Sequence, residues 1–325
     1  MFVRNVEEGG CKMQEGAFAL VDCLGFKGIW KRADPELLIQ KLLKIEEAVN
    51  EHLVSDVLPL RYLSFGPIRA HIRLLSDTVA ISLQYEEQAG KEPEPWQTNV
   101  LVCLICHSII KILNLFLEGD PPLVLRGCVT YGEHLSNGNF IVGPAVDDAA
   151  EHMNIPEGAF VWVHPTAASR LRIFQARMIA LTTIGQPEHW ASAIQKMRDP
   201  EGKFDWARKK IEEHGAEDFG TTLLELIRPF VMAPIVVDPY LMPIKGGAHL
   251  SCPIVNPLAF RRTVEERESI VAMYSRIIEG NRLDLWLKHQ NTMSFLAECE
   301  HLSASFEDSI AHLRKGDSEN EGDGE

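Results

Sequence analysis

The sequence predicts an α+β fold, with a largely antiparallel sheet and helices on one face. Three observations predict it. Short apolar runs and helix-period segments follow one another as β-α-β-β-α-β-β-α-β-α over residues 16–172. Two pairs of runs are separated only by turn-sized breaks, which makes hairpins rather than crossover connections. Composition is that of an ordinary globular chain, 46% hydrophobic and 24% charged over 325 residues, so a sizeable core is available.

Residues 1–15 read as a loose leader. Gly16 to Asp22 is an apolar run ending on an acid, as in a buried strand. Asp34-Pro35 opens a helix, with Asp as N-cap and Pro at the first helical position. Leu38, Leu42, Ile45, Val49 and Leu53 line its inner face. Residues 68–75 and 78–85 flank Ser76-Asp77 and read as hairpin strands. A helix at about 97–118 follows, apolar on nearly every face. LVLRGCVTYGEHL is a strand ending at the tight turn Asn137-Gly138. Gly143 to Met153 is a short helix, AFVWVHP a strand, and Thr166 to Leu171 a short helix. The βαββαβ order with two hairpins is the ferredoxin-like pattern. Residues 187–230 are charged and helical, 231–258 return to short β-like runs, and 262–314 are helical. Trp190, Trp206 and Trp286 in these helical stretches are expected to be packing anchors.

A formal net charge of −14 argues against a general surface for nucleic acid or anionic lipid, both of which need a basic footprint. The opening MFVRNVEEGGCKMQEG has no apolar run before Ala17, so no signal peptide is expected. No stretch is expected to span a bilayer. Seven cysteines at irregular spacing suit a reduced, cytoplasmic protein without a disulfide framework. Cys103, Cys106 and His107 match the c-type haem attachment spacing, but they lie inside the apolar helix and read as core residues.

Two acids stand out for chemistry. Asp22 ends a buried strand and is followed by Cys23-Leu24-Gly25-Phe26, where glycine allows close backbone approach to a phosphate. Asp77 sits at a hairpin, where an acid is ordinarily a turn former. Two carboxylates at the tips of adjacent central strands are suited to hold divalent ions that activate a hydroxyl and clamp a triphosphate.

Around these acids the motifs resemble the class III adenylyl and guanylyl cyclases. AFALVDCLGF resembles the opening strand of that family, an apolar run followed by D-I-x-G-F. IRLLSDTVAISL resembles its second metal motif. LVLRGCVTYGEHL resembles its R-x-G-x-x-x-G-E strand, matching at Arg126, Gly132 and Glu133. VGPAVDDAAEHM resembles its G-x-x-V-N-x-A-x-R helix, matching at Gly143, Val146 and Ala149. VWVHPTA resembles the next strand and helix, and LMPIKGGAHLSCPIV resembles a late V-K-G-x-G hairpin. The likeness covers residues 16–172 and again 235–256. It implies a cyclase-like core at 16–172, a mostly helical insertion at 173–230 and a late β-hairpin completing the core at 231–260. A helical extension at 261–315 and a disordered acidic tail at 316–325 complete the expected layout.

The resemblance implies two ions, Mn²⁺ or Mg²⁺, at Asp22, Asp77 and the carbonyl of Cys23. It places the backbone of Leu24, Gly25 and Phe26 over the triphosphate, and Lys245 on phosphate from the partner chain. Attack of the ribose 3′-hydroxyl on the α-phosphate would give a cyclic mononucleotide. A homodimer is expected, with a separate effector protein to read the product.

The sequence departs from the family at four positions. Asp147 replaces the Asn that orients ribose, and Glu151 replaces the transition-state Arg. Each charge, placed about 4 Å from developing phosphate charge, costs about 4 kcal/mol at an effective dielectric of about 20. That is about three powers of ten in rate. Lys27 and Arg126 are the cations available to compensate. Arg73 and Phe140 occupy the base-contacting positions and match neither the adenylyl nor the guanylyl pair. An arginine donates to a carbonyl and Phe packs, which tilts the resemblance towards the pyrimidine cyclases of antiphage (Pycsar) systems, makers of cyclic UMP or cyclic CMP. A catalytically degenerate nucleotide-binding or dimerisation module is the alternative. A palm-domain or diguanylate-cyclase relative is disfavoured, since the hairpin reads only LLSDT.

Overall fold

The computed structural model describes residues 13–24, 26, 29, 33–52, 68–85, 95–137, 140–184, 209, 212, 215, 234–261, 263–277 and 283–320. Fourteen elements follow one another: β1 (Gln14–Cys23), α1 (Pro35–His52), β2 (Ile68–Leu75), β3 (Thr78–Tyr85), α2 (Pro95–Leu117), β4 (Leu125–Asn137), β5 (Phe140–Val142), α3 (Pro144–His152), β6 (Val161–Val163), α4 (Pro165–Ile184), β7 (Val236–Pro243), β8 (His249–Val255), α5 (Val264–Ile277) and α6 (Leu283–Asn320). The fold is mixed α+β, as expected, with one eight-stranded sheet and, among the described residues, six helices.

Strand order is β2-β3-β1-β4-β6-β8-β7, with β5 paired to the far end of β4. The first four strands form the ferredoxin-like βαββαβ unit, β1 antiparallel to both β3 and β4. Strand β6 joins β4 in parallel, and the β7–β8 hairpin extends the sheet from β6.

β1 is apolar at nearly every position because both of its faces are covered. Ala17, Ala19, Val21 and Cys23 point to the main core, where Leu101, Ile105, Ile109 and Phe116 of α2 meet Leu38 and Ile45 of α1. Phe18 faces the other way, onto Ala145 and Ala149 of α3. Further along that second face, Cys128, Trp162 and Ile254 pack with Tyr274 of α5 and Phe295 of α6. Helices therefore cover both faces, not one. The second face of β1 and β6 is too apolar to be left to water.

Local chemistry sets the boundaries. The Glu36 amide donates to Asp34 Oδ1 at 2.9 Å, the N-cap expected for α1. Thr263 and Glu266 exchange side-chain and backbone bonds at the start of α5, a capping box. Gly143, at φ 140°, turns the chain into α3 where a Cβ would meet the His134 Cα at 2.7 Å.

Four expectations need correction. The segment Thr98–Leu117 is long and apolar enough to cross a membrane, contrary to the expectation of no such stretch; it is instead buried in the core over most of its length. Helix α4 starts at Pro165 and runs on to Ile184, well past Leu171, because no Gly or Pro interrupts it. Helix α6 continues to Asn320, into the expected acidic tail, since Gly316 alone is too small a penalty to stop it. Trp286 is exposed and packs no core. Trp190, Trp206, the expected helical stretch 187–230 apart from residues 209, 212 and 215, the leader residues 1–12, Leu53 and the segment 321–325 lie outside the described residues.

Cys103 and Cys106 are fully inside the core and burial holds both thiols protonated, Cys103 being pushed up to about 12. His107 is buried and stacks on Phe260 with centroids 4.9 Å apart. The haem spacing is thus a core feature of α2.

Candidate functional site

Asp22 is the next-to-last residue of β1 and pairs across to Thr78 on one side and Arg126 on the other. By alternation along the strand it shares the face of Phe18 and Leu20 rather than that of the main core. Thr78 Oγ1 donates to Asp22 Oδ1 at 3.1 Å, and the Arg126 guanidinium lies 3.7 Å from Oδ2. Asp77 is the second residue of the two-residue β2–β3 turn, closed by the Leu75–Thr78 pair. Ser76, at φ 61°, takes the left-handed position that such turns usually give to glycine. The Asp77 carbonyl accepts from the Cys23 amide at 3.0 Å, tying the hairpin tip to the end of β1.

The electrostatics record this proximity. Burial, and next the charge of Asp77, raise the Asp22 pKa above the usual carboxylate value, while Thr78 and Arg126 pull it back. Burial together with both carboxylates keeps the Cys23 thiol protonated, so only its carbonyl is suited to a metal.

The two acids fit a divalent ion. The charge of Asp77 acts on Asp22 at the end of the sheet, and Arg126, the cation paired with Asp22 among the described residues, is at the outer range of an ion pair. Among the described residues no three His, Cys, Asp or Glu side chains converge on one point. The donor set therefore suits Mg²⁺ or Mn²⁺ completed by phosphate oxygens and water, not a closed structural metal site.

The other predicted residues are placed as follows. Leu24 continues from β1, its amide donating to the Val124 carbonyl at 2.8 Å, and Phe26 accepts from the Ile29 amide at 2.9 Å. Gly25 and Lys27 lie outside the described residues. Lys245 is exposed at the β7–β8 turn, its amide bonded to the Ile155 carbonyl. Burial and the nearby charges of Arg126 and Lys288 lower its pKa, so it stands within electrostatic reach of Arg126 in its own chain. Arg73 is partly buried on β2 and donates to the Ile72 carbonyl at 2.8 Å. Phe140 is 75% exposed on β5. Asp147 and Glu151 are exposed on α3, whose buried side is Ala145 and Ala149.

Two residues, Thr78 at the site and Lys41 within electrostatic reach of Cys23, are not evident from motifs. Thr78 buttresses Asp22 because the two face each other across the β1–β3 pairing, which no spacing in the sequence announces. Lys41 of α1 is buried, its Nζ donating to the carbonyls of Phe116 at 2.8 Å and Pro121 at 2.6 Å. It lies on the buried stripe with Leu38 and Ile45, where a lysine is an anomaly that the helical spacing itself reveals. Burial lowers its ammonium to about 8.

No protein-family model matches the chain, and no curated protein matches it in sequence. Solved structures do resemble it. The catalytic core of a rhodopsin-guanylyl cyclase with converted specificity, in complex with ATPαS, is 11% identical over 49% of this chain and 82% of that one, with a TM-score of 0.37. The adenylyl cyclase CyaB from P. aeruginosa is 14% identical over 50% of this chain and 83% of that one, with a TM-score of 0.35. A class III adenylyl cyclase-like ATP-binding protein from Pseudomonas aeruginosa is 12% identical over 86% of this chain and 71% of that one, with a TM-score of 0.37. The similarity is structural and at low identity; the architecture stands on its own strand order and register.

Proposed function

We propose that this chain is a metal-dependent nucleotide cyclase of the class III kind, which binds a nucleoside triphosphate at Asp22 and Asp77 and releases a cyclic mononucleotide and pyrophosphate. The observation that carries this reading is the apposition of the two carboxylates at the ends of β1 and the β2–β3 hairpin, within a βαββαβ sheet. Asp22 is fixed by Thr78 and Arg126, and Asp77 by the bond between its carbonyl and the Cys23 amide. Divalent ions, when bound, would neutralise the triphosphate and lower the pKa of the ribose 3′-hydroxyl. That oxygen forms a bond to the α-phosphorus as the bond to the bridging oxygen breaks, and its proton leaves to solvent or to pyrophosphate. Leu24, Gly25 and Phe26 supply backbone near the phosphates, and Lys245 supplies a cation. The working form is a cytoplasmic homodimer, and Arg73 with Phe140 favours a pyrimidine base, as in cyclases of phage defence.

A specific observation favours a second reading, nucleotide binding without turnover. Asp147 and Glu151 stand exposed on α3, where a cyclase needs an amide and a guanidinium. The test is incubation with each nucleoside triphosphate and Mn²⁺, with products followed by mass spectrometry and binding by calorimetry. The cyclase reading expects a cyclic mononucleotide that disappears in Asp22→Asn and Asp77→Asn. Binding lost in those variants with no product from the wild type would support the second reading. No binding at all would overturn both.

A further inference from the structure

The second face of the sheet carries a buried polar network next to β2. Ser82 and His134 Nε2 are 2.7 Å apart, and Ser136 donates to Ser82 at 3.0 Å. His134 Nδ1 lies 3.1 Å from the Gly132 carbonyl, which only accepts, so the proton is on Nδ1 and Nε2 accepts from Ser82. Gln84 donates to the carbonyls of His134 and Gln14. Gly16 leaves room for this packing: a Cβ there would meet Leu83 O at 2.5 Å and His134 Cε1 at 2.9 Å.

His71 is the exception in this closed network. It pairs across to Ser82, between Arg69 opposite Gln84 and Arg73 opposite Ala80, so the three side chains share the face of Asp22. Its Nε2 is buried and has no hydrogen-bond partner among the described residues. Ser82, the residue opposite it, is already bonded to His134 and Ser136. A buried ring nitrogen without a partner calls for an explanation, and a ligand atom would supply the missing hydrogen bond. Burial and the charges of Arg73 and Arg69 disfavour the imidazolium, so the nitrogen offers one hydrogen bond of a neutral ring.

We propose that His71 is a specificity-determining residue of the nucleotide site, its Nε2 accepting the ring N–H of a nucleobase whose adjacent carbonyl is met by Arg73. This rests on the nucleotide reading above and extends it to a chemical class. The bases with a carbonyl beside a ring N–H are uracil and guanine, and of these uracil is the pyrimidine that Arg73 and Phe140 favour. Cytosine and adenine present an amino group beside a bare ring nitrogen, which sets donor against donor at Arg73 and acceptor against acceptor at His71.

The experiment measures affinity by calorimetry, with Mn²⁺, for UTP, GTP, CTP, ATP and inorganic tripolyphosphate, in the wild type, His71→Phe and His71→Gln. Wild type is expected to prefer UTP and GTP over CTP and ATP by at least about tenfold. His71→Phe, which keeps the bulk, is expected to bring the four nucleotides to within about threefold of each other while tripolyphosphate affinity stays unchanged. His71→Gln retains an acceptor and should keep part of the preference. An undiminished preference in His71→Phe, or a wild-type preference for CTP or ATP, overturns the proposal and leaves the nucleotide reading intact. Tripolyphosphate binding with no base preference in the wild type does the same. Failure of the wild type to bind tripolyphosphate or any nucleotide overturns both.

Discussion

Ser76 holds a backbone angle, φ 61°, that costs an L-residue about 1 kcal/mol and glycine nothing. Part of the gain from glycine is returned by its freer unfolded chain. Ser76→Gly is therefore expected to stabilise the protein by about 0.5 kcal/mol, read as a higher denaturant midpoint. Asp77 stays in register in this variant, so nucleotide affinity should hold. At Asp147 and Glu151 the prediction concerns rate. Their carboxylates are exposed, so replacing them perturbs little packing. Asp147→Asn with Glu151→Arg should raise cyclic product formation by between about tenfold and a thousandfold, with binding little changed. Unaltered initial rates would place α3 away from the reacting phosphate. The positions of such residues are legible in sequence because they are local: a strand end, a turn, a helix face. Thr78 acquires its part only when β1 and β3 pair, and no spacing along one strand reveals that.

Among the elements, those whose boundaries are written by local chemistry were readable. The hairpin strands Ile68–Leu75 and Thr78–Tyr85 fall where the turn residues put them. Strand β6 is shorter than the run AFVWVHP, at Val161–Val163, since Pro165 already starts α4 and Gly158-Ala159 lie in a bend. The lysine that joins α1 to the end of α2 was not readable as such, because both acceptors are carbonyls far away in sequence. Lys41→Met keeps the buried stem and removes the donor. It is expected to cost about 1–3 kcal/mol, measured by urea denaturation, by stranding the carbonyls of Phe116 and Pro121. The β3–β4 network makes a prediction in pH. Burial, above all, lowers the His134 pKa below its unfolded value, so the unfolded chain binds the proton more readily. The stability that the neutral ring contributes is present above about pH 6.5 and is lost as pH falls through the folded value. Lower pH also relieves the repulsion of a chain with net charge −14, so the comparison must be made against a variant. Melting temperatures from pH 7.5 down to 5 should fall more steeply for the wild type than for His134→Gln. Equal slopes would mean that this ring does not govern the acid response.

In the molecule as a whole, the near-continuous apolar run of β1 requires cover on both faces, and helices α3, α5 and α6 provide it on the second. The pattern of strands and hairpins was enough for the sheet, but which helix covers which face depends on packing between distant segments. The same face holds Asp22, Arg126 and the turn bearing Lys245, and it raises the question of how many chains make one site. Lys245 lies within electrostatic reach of Arg126 in its own chain. A two-fold arrangement would instead direct it to the phosphates held by the partner's carboxylates. The mixing of two defective proteins separates these arrangements. Asp77→Ala and Lys245→Ala are each expected to be inactive alone. If the site is shared across a two-fold axis, half the dimers in an equimolar mixture are mixed, and each carries one intact site and one doubly defective site. Activity, or triphosphate-binding stoichiometry, should then recover to about one quarter of the wild type. Recovery is the expected result for a homodimer whose lysine serves the partner. If Lys245 instead acts with the Arg126 and Asp22 of its own chain, every site in the mixture lacks one of the two groups and nothing is regained. A protein that remains monomeric in light scattering at the assay concentration, with full activity, would exclude the shared site independently.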